Sequence, residues 1–332
     1  MCPDHPHVDC SPATRWGVIL SGGYGTHLLG LTRLIAGDDR PKQFCPLFGD
    51  HAPGGATLLE KMRQRAGRSI SAERILFPLL RAHRPFFLQE PGIRPSQRIV
   101  QPLDRGTAPA IAHSILSIHH RDKNASIAIL PCDHYYPDEF AFTAALEAAF
   151  EVAAQHPAHV VLLGVTPRNT QTVHGWIELG QPADGCGDTF RVRSFCDRPS
   201  PRFAKQLIDR GALSNTLVMV GHVDAFLNMI NAARAGLANA FHGCLWNGEE
   251  VNIPEPFYQR IYAVDFSRDV LSIQAPDLLT IRADLPGWND LRDPQSLIDV
   301  LETENISVPW MKEWRVTGEL LARAAAQAEP PE

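Results

Sequence analysis

The chain has 332 residues, 44% of them hydrophobic and 20% charged, and carries a formal net charge of −6 at pH 7. A compact chain of this length buries about three quarters of its unfolded surface, so a large core is available without disulfide staples. The mild negative charge excludes a broad basic face for nucleic acid, and no apolar run reaches the roughly 18 residues needed to cross a bilayer.

The chain opens on a tail, residues 1–14, in which Cys2, His5, His7 and Cys10 offer two sulfurs and two imidazoles to a zinc ion. Ligands so close together among prolines fit a frayed terminus better than a metal site. The seven cysteines are odd in number and never spaced C-x-x-C, which argues against a disulfide scaffold or zinc ribbon. The tail has no apolar segment behind a positive charge, so it is not a secretory signal, and the cytoplasm is the expected location.

The first strongly apolar run, Trp16 to Leu20, reads as a buried strand entering a glycine-rich turn. Further strands are predicted at Arg74–Leu80, Ser126–Leu130 and Val160–Val165, separated by helices over Thr107–His120 and Phe140–Gln155. Strands alternating with helices predict an α/β fold with a mostly parallel sheet covered on both faces. In the helix Thr107–His120, Ala108, Ile111, Ile115 and Ile118 fall on one face, which leaves His113, His119 and His120 as surface or flanking residues. Beyond Pro199 come a helical stretch (Pro201–Arg210), an apolar run (Leu217–Val220), a helix-like segment (Val223–Ala240), short strands within Ile261–Ile281 and an Ala-rich helix over Trp314–Ala328. With no repeat or linker, residues 15–300 are expected to form one domain and 301–332 a helical extension.

Four segments carry chemistry. The loop Leu20-Ser21-Gly22-Gly23-Tyr24-Gly25-Thr26 follows a strand and precedes a helix. Glycines there let backbone N–H groups approach a phosphate. It matches neither nucleotide fingerprint, since Leu28 replaces the third glycine of G-x-G-x-x-G and the Lys-Ser/Thr pair of a P-loop is absent. Arg40-Pro41-Lys42-Gln43-Phe44 adds a lysine beside a proline-fixed turn. Gln101-Pro102-Leu103-Asp104-Arg105-Gly106-Thr107-Ala108-Pro109-Ala110 is a loop whose small residues would let a flat base lie against the backbone. In Ile129-Leu130-Pro131-Cys132-Asp133-His134, Asp133 falls at the C-terminal end of a buried strand, where ligands bind in open parallel sheets.

In this order the four segments resemble the sugar-phosphate nucleotidyltransferases, most closely the mannose-1-phosphate guanylyltransferases, over roughly residues 16–300. The resemblance implies a Rossmann-like mixed sheet sandwiched by helices. It implies attack by mannose 1-phosphate on the α-phosphorus of GTP, with Mg²⁺, giving GDP-mannose and pyrophosphate. It assigns Leu20, Gly22, Gly23, Gly25, Thr26, Arg105, Thr107 and Ala108 to the nucleotide, and Lys42 to the phosphates. Asp133 and Asp290, the latter in Gly287-Trp288-Asn289-Asp290, would bind Mg²⁺, a hard ion that prefers oxygen ligands. On the sugar side it assigns Gly175, Asp197, Arg198 and Asn215, and it leaves a homodimer open.

The chain departs from the family's pattern at several of these places. Val173-His174-Gly175-Trp176-Ile177 stands for Gly-Tyr-Gly-Tyr-Ile, and Asp197-Arg198-Pro199 stands for Glu-Lys-Pro. Ser214, Thr216 and Leu217 replace the neighbours of Asn215. His27 replaces the arginine that neutralises the triphosphate, and a histidine is mostly neutral at pH 7. His27 is therefore counted with Lys42 and Asp133 in the catalytic set, with Arg33 or Arg40 able to compensate. The alternatives are a binding homologue whose reaction has decayed, or the same chemistry with another sugar or nucleotide.

Overall fold

The apolar runs become the inner strands of a ten-stranded mixed sheet. Its strands are β1 (Thr14–Leu20), β2 (Ile75–Leu80), β3 (Arg98–Gln101), β4 (Ala125–Pro131), β5 (Val160–Val165), β6 (Gly175–Pro182), β7 (Thr189–Asp197), β8 (Leu213–His222), β9 (Val251–Asn252) and β10 (Leu278–Arg282). The computed structural model describes residues 14–49, 55–167, 175–183 and 187–316. The Cys2/His5/His7/Cys10 cluster, His174 and all but the first three residues of the expected helix Trp314–Ala328 lie outside the described residues.

One half of the sheet is parallel, in the order β9-β3-β2-β1-β4. β1 and β4 match residue for residue from Thr14↔Ala125 to Leu20↔Pro131, so their C-terminal ends open on the same edge. β8 then runs antiparallel to β4 and also pairs with β5 and β6. The pairings β5–β8, β8–β6, β6–β7, β7–β10 and β10–β5 form a closed circuit beside the parallel half. Here the chain turns from βα units to antiparallel strands, as a mixed sheet requires.

Every residue of β2, β4 and β5 is buried, as expected for strands covered on both faces. One face packs under the helices Thr107–Arg121 and Val223–Ala233, the other under Leu58–Ala66 and Glu139–Gln155. A smaller cluster joins Leu28, Leu31 and Phe48 to Leu297, Leu301 and Trp310, with Trp310 Nε1 donating to the Leu47 carbonyl at 3.0 Å.

Several expectations need correction. The helix Thr107–Arg121 is buried from Ala108 to Ile118 on all sides, because the chain from Val223 onward covers its outer face. His113 is consequently fully buried, stacked on Phe241 at 4.8 Å, with Nε2 2.7 Å from the Cys244 carbonyl. Burial pulls its pKa down to about 4. Within 261–281 only Leu278–Arg282 is a strand, and residues 267–271 form a wide helical turn. The helix at Val223 ends at Ala233 rather than Ala240. The helix Pro294–Thr303 spans residue 300, and its apolar face packs against Leu28, Leu31 and Phe48.

Candidate active site at the carboxyl edge of the parallel strands

The glycine loop leaves β1 at Leu20 and is tied down at once. Ser21 N donates to the Pro78 carbonyl at 3.3 Å and Ser21 Oγ to the Ile19 carbonyl at 2.8 Å. Gln43, in the short helical turn Lys42–Phe44, donates Nε2 to the carbonyls of Ser21 (3.1 Å) and Gly23 (2.7 Å). Gly25 has φ +59°, and a Cβ there would stand 3.2 Å from Lys42 N, so the loop rests on the backbone of the lysine turn. The two motifs form one unit, with Gln43 as the clip.

Lys42 is 7% exposed. Its Nζ lies 3.0 Å from Asp133 Oδ2 and donates to the carbonyls of Asp290 (3.1 Å) and Leu291 (3.0 Å). Asp133 follows β4, and burial alone would raise its pKa. The Lys42 ammonium, with His134, outweighs burial and holds the carboxyl below its ordinary value. Asp290 is brought to the same place by a two-way backbone bridge between Tyr135 and Asn289, at 2.7 and 3.1 Å. Leu291, at φ +46°, is held in that strained turn by Asn289 Oδ1, which accepts its N–H at 2.8 Å. Residues 42, 133 and 290 thus converge from separations of more than 90 positions.

A cleft of about 300 Å³ opens here, lined among others by Leu20, Gly22, Gly23, Gln101, Thr107 and Asp133. Its far wall is the segment 264–266. The Val264 carbonyl accepts the Ala108 N–H at 3.1 Å, Val264 N donates to the Arg105 carbonyl at 2.9 Å, and Phe266 N donates to Thr107 Oγ1 at 2.8 Å. Gly106 has φ +81°, and a Cβ would meet the Val264 carbonyl oxygen at 2.4 Å. Ala108 is completely buried and its N–H is used by Val264, so it supports the loop from behind, whereas Thr107 lines the cleft. Arg105 is half-buried, with Nε in the interior and without a protein partner among the described residues. Gln101, Asp104 and Asp265 also line the cleft; the first two stood in a quoted motif but had no role, and Asp265 gave no local signal.

Thr26 and His27 are exposed on the turn after Gly25. Neither expected substitute for the missing arginine turns toward the loop. Arg33 is paired with Asp39, and Arg40 binds Asp38 at 2.8 Å.

The sugar-side residues separate. Asp197 ends β7 close to Asp265; burial, then the Asp265 charge, raises its pKa. Arg198 has φ +49° and a side chain two-thirds exposed, with Nε 3.8 Å from Asp197. Gly175 faces Phe195, whose ring would lie 2.5 Å from a Cβ. Trp176 is fully buried among Ala204, Leu207 and Ala212. Asn215 is 6% exposed, and its Oδ1 accepts the N–H of Leu217, a residue at φ +60° that lines the cleft. Gly175 and Asn215 thus help to set the backbone here.

A mixed sheet with a clamped glycine loop and a buried lysine paired with a half-buried aspartate at its carboxyl edge defines a nucleotide-handling α/β protein. The chain belongs to the nucleotidyl transferase family, whose signature matches residues 16–305. It is 29% identical over 292 residues to the xanthan biosynthesis protein XanB of Xanthomonas campestris pv. campestris, covering 86% of this chain and 59% of that one. It is 31% identical over 189 residues to the mannose-1-phosphate guanylyltransferase RfbM of Salmonella typhimurium, 55% of this chain and 36% of that one. The chain spans somewhat over half the length of XanB and similar curated relatives. Among solved structures, one described as mannose-1-phosphate geranyltransferase from Thermus thermophilus superposes with TM-score 0.74 and 26% identity, over 87% of this chain and 79% of that one. Among the described residues no helix is long and apolar enough to cross a membrane.

Proposed function

We propose that the protein joins GTP and mannose 1-phosphate to give GDP-mannose and pyrophosphate. The observation that carries this reading is Lys42, buried and held by Asp133 and two carbonyls directly beneath a glycine loop. The names of RfbM and of the Thermus structure support the sugar phosphate. In the reaction a phosphate oxygen of the sugar phosphate attacks the α-phosphorus. The bond to the bridging oxygen of the β-phosphate breaks, and pyrophosphate leaves with the electron pair. The nucleophile is already an anion, so the protein's work is positioning and charge neutralisation rather than covalent catalysis. Lys42 is preorganised for that work, since its carbonyl contacts fix Nζ before the phosphates arrive.

Mg²⁺ fits the residues present. The Asp133 carboxylate pairs with Lys42, Asp290 meets the same ammonium through its main-chain carbonyl, and the charges of both aspartates act on His134, so two hard oxygen donors share one neighbourhood. Two carboxylates with the remaining positions left to phosphate and water suit this ion. When bound it would supply neutralisation of the charge on the reacting phosphates.

A panel of nucleoside triphosphates and sugar 1-phosphates, assayed with Mg²⁺ for pyrophosphate release, tests the reading. GTP with mannose 1-phosphate should give the highest rate, and Asp133→Ala should remove it. No release above that variant would sink the proposal. His27, with Arg33 and Arg40 already paired, favours a second reading in which nucleotide binds but turnover is weak. Calorimetric GTP binding without turnover, together with a large rate gain in His27→Arg, would select it.

A further inference from the structure

Val264 has the cleft on one side, where its backbone holds Arg105 and Ala108. It also lines a second groove, of about 620 Å³, together with residues 233–237 at the end of the helix Val223–Ala233. This groove has about twice the volume of the cleft and falls within the range of small-molecule sites. The proposed reaction makes no use of it.

The groove is lined by three arginines, Arg234, Arg260 and Arg268, against one carboxylate, Asp269. Asp269 accepts from Arg234 at 2.9 Å and from Arg268 at 2.9 and 3.2 Å, and its Oδ2 also takes the Asp265 N–H at 2.8 Å. One carboxylate thus fixes two guanidiniums, and each keeps N–H donors that no described residue accepts. Arg260 is exposed and makes no side-chain bond among the described residues. Asp265, whose charge also reaches Arg268, lines the cleft. The groove is left with an excess of positive charge, carried on planar forks that match phosphate oxygens.

A small inorganic anion would leave most of this volume unfilled. The remaining lining includes apolar Ala233, Leu237, Ala240 and Ile261, and Tyr262 adds a ring that is 87% exposed. An open tyrosine ring beside free arginine donors offers a stacking face for a flat base. Phosphate and flat ring together describe a nucleotide. We propose that this groove is a second nucleotide site, separate from the cleft, with Arg234, Arg260 and Arg268 on the phosphates and Tyr262 stacked on the base. Such a site is independent of the reaction in the cleft, although its occupant touches Val264, which braces the cleft wall.

The test counts GTP bound per full chain by calorimetry, up to about 1 mM ligand, the weak end of ordinary metabolite affinities. The wild type should bind two molecules. Arg260→Glu and Tyr262→Ala, both at exposed side chains, should leave the melting temperature unchanged and each weaken one of the two sites about 10- to 100-fold. Lys42→Met should weaken the other. Guanosine and inorganic triphosphate each carry only part of what the groove recognises, so each should bind there about tenfold more weakly than GTP, or worse. A single molecule per wild-type chain, lost in Lys42→Met and kept in both groove variants, overturns the proposal. So does a second site that neither groove variant weakens, or one that takes inorganic triphosphate as tightly as GTP. A single molecule lost in the groove variants and kept in Lys42→Met supports the second site and defeats the nucleotide reading of the cleft instead. No binding at all overturns both.

Discussion

At the proposed nucleotide end of the cleft, segments from residues 21, 43, 133 and 290 are joined by direct polar bonds, through the buried side chains of Lys42 and Gln43. On the side proposed for the sugar, Gly175, Trp176 and Asn215 are used in packing and turn formation, Asp197 is mostly covered, and Arg198 reaches outward. The two ends answer to different demands. A triphosphate needs charges fixed before it arrives, because a cation that must reorganise loses much of its value. Hydroxyl recognition can be served by a groove whose shape is set by backbone.

The sharpest way to break the comparison is Lys42→Met. The variant should lose about 10³-fold in the rate of pyrophosphate release, by analogy with other preorganised electrostatic contacts. It leaves the half-buried Asp133 without its cation, so stability should also fall by about 1 kcal/mol, measurable by denaturant titration. If the rate fell tenfold or less, the nucleotide end would not be the preorganised site described here.

Two glycines sharpen it next. Gly106→Ala drives a Cβ to 2.4 Å from the Val264 carbonyl oxygen at φ +81°. Both partners are backbone, so the change should cost about 4 kcal/mol. Gly175→Ala meets the Phe195 ring at 2.5 Å, and a ring can turn aside. Its cost should be about 1 to 2 kcal/mol. Equal losses in melting experiments on the pair would show that the two ends are equally rigid.

The parts of the site legible in the sequence were those encoded by a local rule. A buried strand running into Gly22-Gly23-Tyr24-Gly25, a lysine after a fixed proline, and an aspartate at a strand's end each declare themselves within a few residues, and the structure brings Lys42, Asp133 and Asp290 together. What escaped were contacts between distant segments. Gln43's clip on the glycine loop and the support of Thr107 and Ala108 by residues 264–266 depend on which segments become neighbours. Periodicity also failed where burial is two-sided. A helix covered on both faces leaves no polar stripe, so His113 read as a surface residue. β6 and β7 were missed because their apolar residues are broken by Gly180, Pro182 and charged positions.

A pH experiment probes the support behind the nucleotide end. Glu90 is 9% exposed and accepts the Thr57 hydroxyl at 2.7 Å, the residue that caps the helix Leu58–Ala66. Burial raises its pKa to about 7, above the ordinary value of 4.5. Between those values the folded protein holds a proton that the unfolded chain releases. Stability should therefore be greatest below about pH 4.5 with respect to this group, and should decline as pH rises to 7 by roughly 2 to 3 kcal/mol. Glu90→Gln should flatten that slope in chemical denaturation between pH 5 and 8. An unchanged slope would mean that the carboxyl is ionised at neutral pH.

The smallest expected effect decides what the sugar end is. Asn215 is almost wholly buried, and its Oδ1 holds the N–H of Leu217, whose left-handed φ of +60° is unfavourable for a branched side chain. If its role is to fix that turn, Asn215→Ala should cost about 1 kcal/mol of stability and raise the KM for the sugar phosphate less than threefold. Asn215→Asp, which keeps an acceptor for the Leu217 N–H, should recover much of the stability. If Asn215 instead binds the sugar phosphate directly, KM should rise tenfold or more with little change in melting temperature. The two variants measured together separate these roles, because a turn responds to the acceptor being kept, whereas a phosphate contact would be worsened by the new negative charge.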